Sequence, residues 1–154
     1  ILKQMNVQAS IISYGAFDIY AGAVDGFESY KNPFWAFSRT SPRKIFGEGF
    51  DHVNNPDMYK AVSPLYNIPE AKDKALPPQL LLVGSNDRLT TPESVKDYLN
   101  ALKEKGHQVS YWEYPGKGHA FLDSGNNYFL GTNFERDAPE ALDKMINFLE
   151  SVFK

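Results

Sequence analysis

The chain has no cysteine, only three histidines and no long uninterrupted hydrophobic run. Without cysteine there is no disulfide, no thiolate nucleophile and no cysteine-ligated zinc site. No apolar run approaches the roughly 20 residues that a membrane-spanning helix requires. A strong charge of either sign is also missing, because 16 Lys and Arg face 19 Asp and Glu, for a formal net charge of −3. We therefore expect that the chain does not bind nucleic acid and contains no membrane-spanning segment.

What is present fits one globular domain. The 154 residues suffice for one domain with a real core but not for two, and the hydrophobic fraction of 42% argues against disorder. Strands are predicted at residues 7–14, 79–84 and 109–114. The run at 79–84 is continuous, as in a parallel strand that is covered on both faces.

Two helices are predicted in the second half of the chain. Thr90 and Glu93 match a capping box at the start of the first, and Gly106 ends it. The second is predicted to open at Asp137, with Pro139 in its first turn. The residues predicted to line the buried face of this terminal helix are Leu142, Met145, Ile146, Leu149, Val152 and Phe153.

Between the first two strands lies a segment with no dominant period. We predict an insertion of short helices and loops over residues 19–60, flanked by core residues 1–18 and 61–154, with an extended stretch at 63–69. The segment 19–63 is dense in aromatic residues: Tyr20, Phe27, Tyr30, Phe34, Trp35, Phe37, Phe46, Phe50 and Tyr59. These aromatics either cover a substrate pocket or form a small core of the insertion itself.

The candidate chemistry lies just beyond the second and third strands. Asp87 follows the strand 79–84, and His119 follows the strand 109–114 within Tyr-Pro-Gly-Lys-Gly-His. A strand, a crossover helix and a neighbouring parallel strand bring both carboxyl ends to one edge of the sheet. A carboxylate that orients an imidazole is two-thirds of a Ser-His-Asp triad. The spacing therefore predicts an acid and a base at this edge.

Other interpretations of these residues stay open. Asp87 also suits a cap for the helix that follows, and a lone loop histidine such as His119 is often only a surface residue. Two more carboxylates compete for the role of the acid: Asp18 at the end of the first strand and Asp123 shortly after His119. The remaining histidines, His52 and His107, show no partner in the sequence.

The run Leu-Leu-Leu-Val-Gly-Ser-Asn-Asp87, the helix after it and Tyr-Pro-Gly-Lys-Gly-His119-Ala-Phe121 resemble the closing half of α/β-hydrolase enzymes. Ser63-Pro64 adds to the likeness, and the nearest resemblance is to hormone-sensitive-lipase-like esterases. The resemblance implies an α/β fold of about three parallel strands with flanking helices and an aromatic-rich cap. It also implies that Asp87 and His119 are the acid and base of a serine carboxylesterase that needs no cofactor and no metal.

The chain departs from that family at the nucleophile. None of its serines lies in a Gly-x-Ser-x-Gly sequence, and no His-Gly-Gly loop is present. We therefore expect the serine and the oxyanion hole to come from a missing N-terminal half of the fold, on the same or a second chain, and the substrate to be a small ester. A homo-oligomer stays open. The alternatives are a serine peptidase of the prolyl-oligopeptidase type and a non-catalytic interaction module.

Overall fold

The computed structural model describes residues 6–32, 35, 40–123, 125–128 and 131–154. The residues divide into two compact units: residues up to Ala16 together with Ile68–Lys154, and the intervening Phe17–Asn67. The predicted insertion, 19–60, falls within the second unit. Its function as a cap stays a prediction.

A parallel three-stranded sheet forms the centre of the first unit. Its strands are β1 (Ser10–Ser13), β2 (Gln79–Gly84) and β3 (Val109–Tyr114), in the order β1-β2-β3. Gln79 pairs with Ser10 on one side and Val109 on the other. This confirms the predicted α/β class with flanking helices, although β1 is shorter than the predicted strand 7–14.

The central strand β2 is buried along its whole length. Leu80 and Leu82 point to one face of the sheet, because side chains alternate along a strand, and there they join Phe148 of the C-terminal helix in one hydrophobic cluster. The helix α3 (Pro92–Glu104) also contacts both β2 and β3. This covering explains why the sequence of β2 is uniformly apolar rather than alternating.

The predicted start of α3 is off by one residue. Thr91, not Thr90, is the N-cap, and its hydroxyl oxygen accepts a hydrogen bond from the Ser94 N–H. The predicted end is confirmed: Gly106 has a φ of +81°, and the next N–H, from His107, bonds back to the Leu102 carbonyl. This is the six-residue closure that a left-handed C′ glycine allows.

The C-terminal helix, α4 (Phe134–Val152), begins before the predicted Asp137. Asn133 caps it by accepting a bond from the Arg136 N–H, so Pro139 lies in the second turn rather than the first. Two short strands, β4 (Asn126–Asn127) and β5 (Thr132–Asn133), form an antiparallel pair immediately before the helix. Strand β5 ends at Asn133, so the helix begins directly after it.

The predicted buried face of α4 is only partly correct. Three of its members, Met145, Leu149 and Val152, pack against the core cluster, whereas the others are exposed. The exposed members are Leu142, Ile146 and Phe153. The fully buried positions of this helix are instead Asp137, Ala138 and Ala141. These positions hold two small residues and one carboxylate, so hydrophobicity alone did not identify the buried face of the helix correctly.

The second unit contains α1 (Ile19–Val24), α2 (Pro56–Val62) and a 3₁₀ turn at Pro64–Asn67. The turn corrects the predicted extended stretch 63–69. Proline fixes its own φ near the helical value, and Pro64 is the first residue of this turn. The buried hydroxyl of Ser63 accepts bonds from the Ile19 and Tyr20 N–H groups and so joins the two helices.

The aromatic residues of this unit do not form one class. Tyr59 and Trp35 are buried, and the Tyr59 hydroxyl donates a 2.7 Å hydrogen bond to the buried Glu28 carboxylate. Tyr30 and Phe50 are exposed. Part of the aromatic content is therefore the unit's own core. Phe34 and Phe37 lie outside the described residues. Within the described part of the chain, no helix has the length and apolarity to cross a membrane.

Candidate active site

Three strand ends meet at one edge of the sheet. Tyr14 follows β1, the turn Ser85–Asp87 follows β2, and the loop 115–119 follows β3. Such edges of parallel sheets present side chains to a crevice rather than to the core. Backbone strain is concentrated here, since Tyr14 (φ +43°) and Ala120 (φ +61°) are the non-glycine residues with positive φ in the described chain.

The two loops that carry the candidate acid and base are bonded to each other through their backbones. The Ser85 N–H donates to the Tyr114 carbonyl (3.0 Å), and the Asn86 N–H donates to the Lys117 carbonyl (2.8 Å). The Ser85 hydroxyl oxygen also accepts a bond from the Gly116 N–H at 2.7 Å. Together these bonds fix where the histidine loop crosses the end of β2.

Gly84 makes this crossing possible. A Cβ atom at this position would collide with the Lys117 carbonyl oxygen and would lie 2.6 Å from the Gly118 carbonyl oxygen. Both contacts are to backbone, which cannot turn aside as a flexible side chain can. The glycine at the end of β2 is therefore required by the close approach of the histidine loop. In the sequence this glycine indicated only the end of a strand.

Asp87 and His119 are in direct contact. Asp87 Oδ2 lies 2.9 Å from His119 Nδ1; the carboxylate is fully buried, and 26% of the imidazole side chain is exposed. An ionised carboxylate only accepts hydrogen bonds, so Nδ1 carries the proton in this pair. Nε2 is then the nitrogen that is left to take a proton from another group.

The Asp87 carboxylate is held by further donors. Its Oδ1 accepts bonds from the Leu89 N–H (2.8 Å) and the Thr90 N–H (2.9 Å). Burial alone would raise the pKa of Asp87, but the bonds from His119 and from these two N–H groups outweigh it and lower the pKa below its usual value. The carboxylate organises its own turn, as the capping alternative suggested, although the cap of α3 is Thr91.

Thr90 also reaches this pair and was missed as a site residue. Its hydroxyl lies 2.9 Å from Asp87 Oδ2 and 3.3 Å from His119 Nδ1. No local signal identifies this role, because the hydroxyl acquires it from contact with His119, which is 29 positions away in the sequence. The capping-box pattern gave Thr90 a different role.

The histidine loop has a second anchor at the start of α4. The Lys117 ammonium lies 2.5 Å from Oδ1 of the fully buried Asp137, and the Arg136 guanidinium binds both oxygens of the same carboxylate. The Asn133 N–H completes this set. Hydrogen bonds from Arg136 and Lys117 overcome the effect of burial and hold the pKa of Asp137 well below its usual range. In the sequence Asp137 indicated only the start of a helix.

The competing residues have other contacts. Asp18 caps α1 through the Ala21 N–H and accepts a bond from the Tyr66 hydroxyl. Asp123 faces the Tyr14 hydroxyl at 3.3 Å, and the Tyr14 ring lies 5.0 Å from that of His119. Within the described part of the first unit, Asp87 rather than Asp123 is the carboxylate that contacts the imidazole.

The other two histidines are placed elsewhere. His107 is buried, with Nε2 2.7 Å from the Pro69 carbonyl and Nδ1 accepting from the Leu76 N–H. His52 meets the Tyr59 ring edge-on in the second unit. In the described ranges, no group of three His, Asp or Glu side chains is arranged to hold a metal ion.

Comparison with known proteins identifies the family. The sequence model of the prolyl oligopeptidase family matches residues 22–154, which is most of the chain. The chain belongs to the prolyl oligopeptidase family. This is the family that the sequence analysis held as its alternative, and the hormone-sensitive-lipase-like assignment stays a prediction. No curated protein sequence matches the chain.

Solved structures that resemble the chain are α/β-hydrolases. Esterase 2 of Thermogutta terrifontis shares 19% identity over 95% of this chain and 44% of its own, with a TM-score of 0.62. A puromycin-hydrolyzing peptidase of Mycobacterium tuberculosis shares 22% identity over 73% of this chain and 15% of its own, with a TM-score of 0.53. A truncated carbohydrate esterase from gut microbiota covers 73% of this chain and 35% of its own, at 18% identity and a TM-score of 0.52.

These likenesses establish the fold that the prolyl oligopeptidase family member shares with esterases and peptidases. The chain spans less than half the length of each of these three structures. Their catalytic activities belong to whole proteins of which this chain corresponds to a part.

Proposed function

We propose that Asp87 and His119 are the acid and base of a Ser-His-Asp triad in a serine hydrolase. One observation carries the proposal: the buried Asp87 carboxylate lies 2.9 Å from His119 Nδ1 at the carboxyl edge of a parallel sheet. Membership of the prolyl oligopeptidase family supports it at the level of the reaction class. A histidine paired with a buried carboxylate at the edge of a parallel sheet is a candidate catalytic base.

The proposed mechanism assigns each nitrogen of His119 a separate task. Nδ1–H donates to Asp87, which keeps the ring in one tautomer and orientation. Nε2 takes the proton from a serine hydroxyl as the serine attacks the carbonyl carbon, and later returns it to the leaving group. The charge that forms on the imidazole in between is stabilised by the Asp87 carboxylate. Burial of that carboxylate strengthens this attraction because little water screens it.

The serine itself is proposed to come from outside these 154 residues. None of the eleven serines in the sequence lies in the nucleophile-elbow pattern Gly-x-Ser-x-Gly. A second polypeptide segment, on the same or another chain, would supply both the serine and the N–H groups that bind the oxyanion. That segment is the one macromolecular partner that the proposal requires.

For the substrate we propose a small carboxylic ester. The esterase of Thermogutta terrifontis covers 95% of this chain, so its likeness includes most of the segment 17–67, and that segment exposes aromatic side chains suited to an acyl group. The family match favours a second candidate, cleavage of a peptide or aminoacyl amide. The two differ in the leaving group, an alcohol in one and an amine in the other, and share the same acid and base.

The test uses the longer protein that contains this chain together with the segment that carries the serine. We expect turnover of p-nitrophenyl acetate and butyrate to exceed that of prolyl p-nitroanilide. His119→Ala should lower ester turnover by roughly 10⁴-fold or more. The matched control is His107→Gln, which alters a buried histidine outside the site and should change kcat by less than about threefold.

Each result has a definite meaning. Preference for the anilide with the same loss in His119→Ala would replace the ester by an amide and keep the triad. Ester and amide turnover that survive His119→Ala would refute the triad. A full-length protein that hydrolyses neither substrate would favour the non-catalytic interaction module.

A further inference from the structure

The Thr90 hydroxyl, one oxygen of Asp87 and the imidazole of His119 form a small triangle of polar groups. The Thr90 hydroxyl and His119 Nδ1 each lie 2.9 Å from the same oxygen, Asp87 Oδ2, and they lie 3.3 Å from each other. A carboxylate has two oxygens, and here one of them serves both side chains while the other serves two backbone N–H groups. The hydroxyl therefore competes with the imidazole for a single acceptor.

The hydroxyl can contribute to this triangle in only one arrangement. Asp87 is ionised and cannot donate, so the Thr90 hydroxyl hydrogen points to Oδ2. Its lone pairs then face the Nδ1–H, which becomes a forked donor with a main acceptor at 2.9 Å and a weaker one at 3.3 Å. The backbone N–H of the same Thr90 binds Oδ1. Thr90 thus donates a hydrogen bond to each oxygen of the carboxylate, which restricts rotation about the Cβ–Cγ bond of Asp87.

We propose that Thr90 is a positioning residue whose hydroxyl fixes the Asp87 carboxylate and limits how strongly that carboxylate holds charge on His119. The catalytic meaning of this inference rests on the proposed function. A donor to Oδ2 withdraws negative charge from the oxygen that faces the imidazolium, so the imidazolium is stabilised less than by a carboxylate free of that bond. Loss of the Thr90 hydroxyl should therefore strengthen the attraction between the carboxylate and the imidazolium.

Among the described residues, the neighbouring polar groups on the other elements are engaged with partners of their own. From the end of β1, Tyr14 packs its ring on His119, and its hydroxyl is directed to Asp123. From the histidine loop itself, the Lys117 ammonium is engaged with Asp137. The β2–α3 turn supplies the remaining groups, Asp87 and Thr90. A change confined to the Thr90 hydroxyl therefore isolates its effect on the pair.

The test compares Thr90→Val, Thr90→Ser and the matched control Thr91→Val in the longer, active protein. Thr90→Val removes the hydroxyl at nearly constant shape. We expect about a tenfold fall in kcat with KM within twofold, and an acid limb of the kcat/KM–pH profile that moves to higher pH by about half a unit. Thr90→Ser should restore both values. Thr91→Val removes the neighbouring hydroxyl, which caps α3, and should leave the acid limb in place.

A second measurement does not depend on turnover. The ¹H resonance of His119 Nδ1–H, observed after selective ¹⁵N labelling of histidine, should shift in Thr90→Val and return in Thr90→Ser. A Thr90→Val protein with the wild-type resonance and acid limb would overturn the inference, as would a Thr91→Val protein with the same changes. If the resonance shifts while His119→Ala retains full hydrolysis, the contact is real and the proposed triad is wrong.

Discussion

Two buried carboxylates at this end of the sheet differ in the kind of partner they hold. Asp87 and Asp137 are both inaccessible, both accept several hydrogen bonds, and both have a lowered pKa. Asp87 faces an imidazole, which can gain and lose a proton near neutral pH. Asp137 faces an ammonium and a guanidinium, which keep their charge. The first arrangement suits chemistry, whereas the second suits anchoring of the loop that carries His119.

The largest expected effect separates the two carboxylates by activity. Asp87→Asn should lower kcat by roughly 10⁴-fold, because an amide no longer enforces the correct tautomer of His119. Asp137→Asn should lower kcat far less, by about tenfold, through a loosened histidine loop. Steady-state kinetics on p-nitrophenyl butyrate in the longer protein measures both. Equal losses in the two variants would remove the distinction between chemistry and anchoring.

Stability should rank the same two variants in the opposite order. Asp137→Asn leaves two cations without a counter-charge, one of them on the largely buried Lys117 side chain, and should cost about 3 kcal/mol in the free energy of unfolding. Asp87→Asn keeps a shape that can still accept from the Leu89 and Thr90 N–H groups, and should cost less. Urea denaturation followed by far-ultraviolet circular dichroism compares them. A larger loss in Asp87→Asn would contradict the anchoring role of Asp137.

Gly84→Ala tests whether the position of the histidine loop over the end of β2 matters for the contacts that both carboxylates make with that loop. The added Cβ would collide with backbone at Lys117 and Gly118 and should displace the loop. We expect a loss of about 1–3 kcal/mol in stability and about 10²-fold in kcat. Gly116→Ala provides the comparison, because a Cβ there meets no atom within 4 Å, although its φ of +73° is strained. A Gly84→Ala enzyme no slower than Gly116→Ala would show that the crossing tolerates displacement.

Acid sensitivity should separate the wild type from Asp137→Asn. The pKa of Asp137 in the folded chain lies below the unfolded value of about 3.9, so its contribution to stability is complete above that value and is lost as pH falls through the folded pKa. Between about pH 5 and pH 2 the wild type should therefore lose more stability than Asp137→Asn, whose side chain does not titrate. Thermal melts across this range provide the measurement. Parallel curves would show that Asp137 carries no such linkage.

The smallest expected effect comes from Thr91→Val. Loss of the N-cap oxygen of α3 should cost about 1 kcal/mol in stability and leave kcat within twofold. The variant alters neither carboxylate and so supplies the baseline against which the others are judged. A change in kcat comparable to that of Thr90→Val would mean that the α3 start as a whole, rather than one hydroxyl, controls the site.

The sequence predicted what local pattern can encode. The bounds of β2 and β3 were correct because turn residues follow each strand, Ser85-Asn86 after β2 and Pro115-Gly116 after β3. The end of α3 was correct because a left-handed position favours Gly106. The start of α4 was wrong because Pro139 is tolerated in the second turn once Asn133 supplies the cap. Its predicted buried face was only partly correct, because Asp137, Ala138 and Ala141 occupy the fully buried positions while half of the predicted residues are exposed. Hydrophobicity does not report how closely a helix approaches its neighbour.

By itself, the sequence determined that an acid and a histidine follow two neighbouring parallel strands, since a crossover helix leaves the chain little choice about which strand ends meet. Only the tertiary structure decided which groups hold them. Gly84, Thr90 and Asp137 acquire their roles from residues that lie 20 to 34 positions away in the sequence, within the histidine loop. Those partners depend on how loops cross in space, and no local pattern of residues records that.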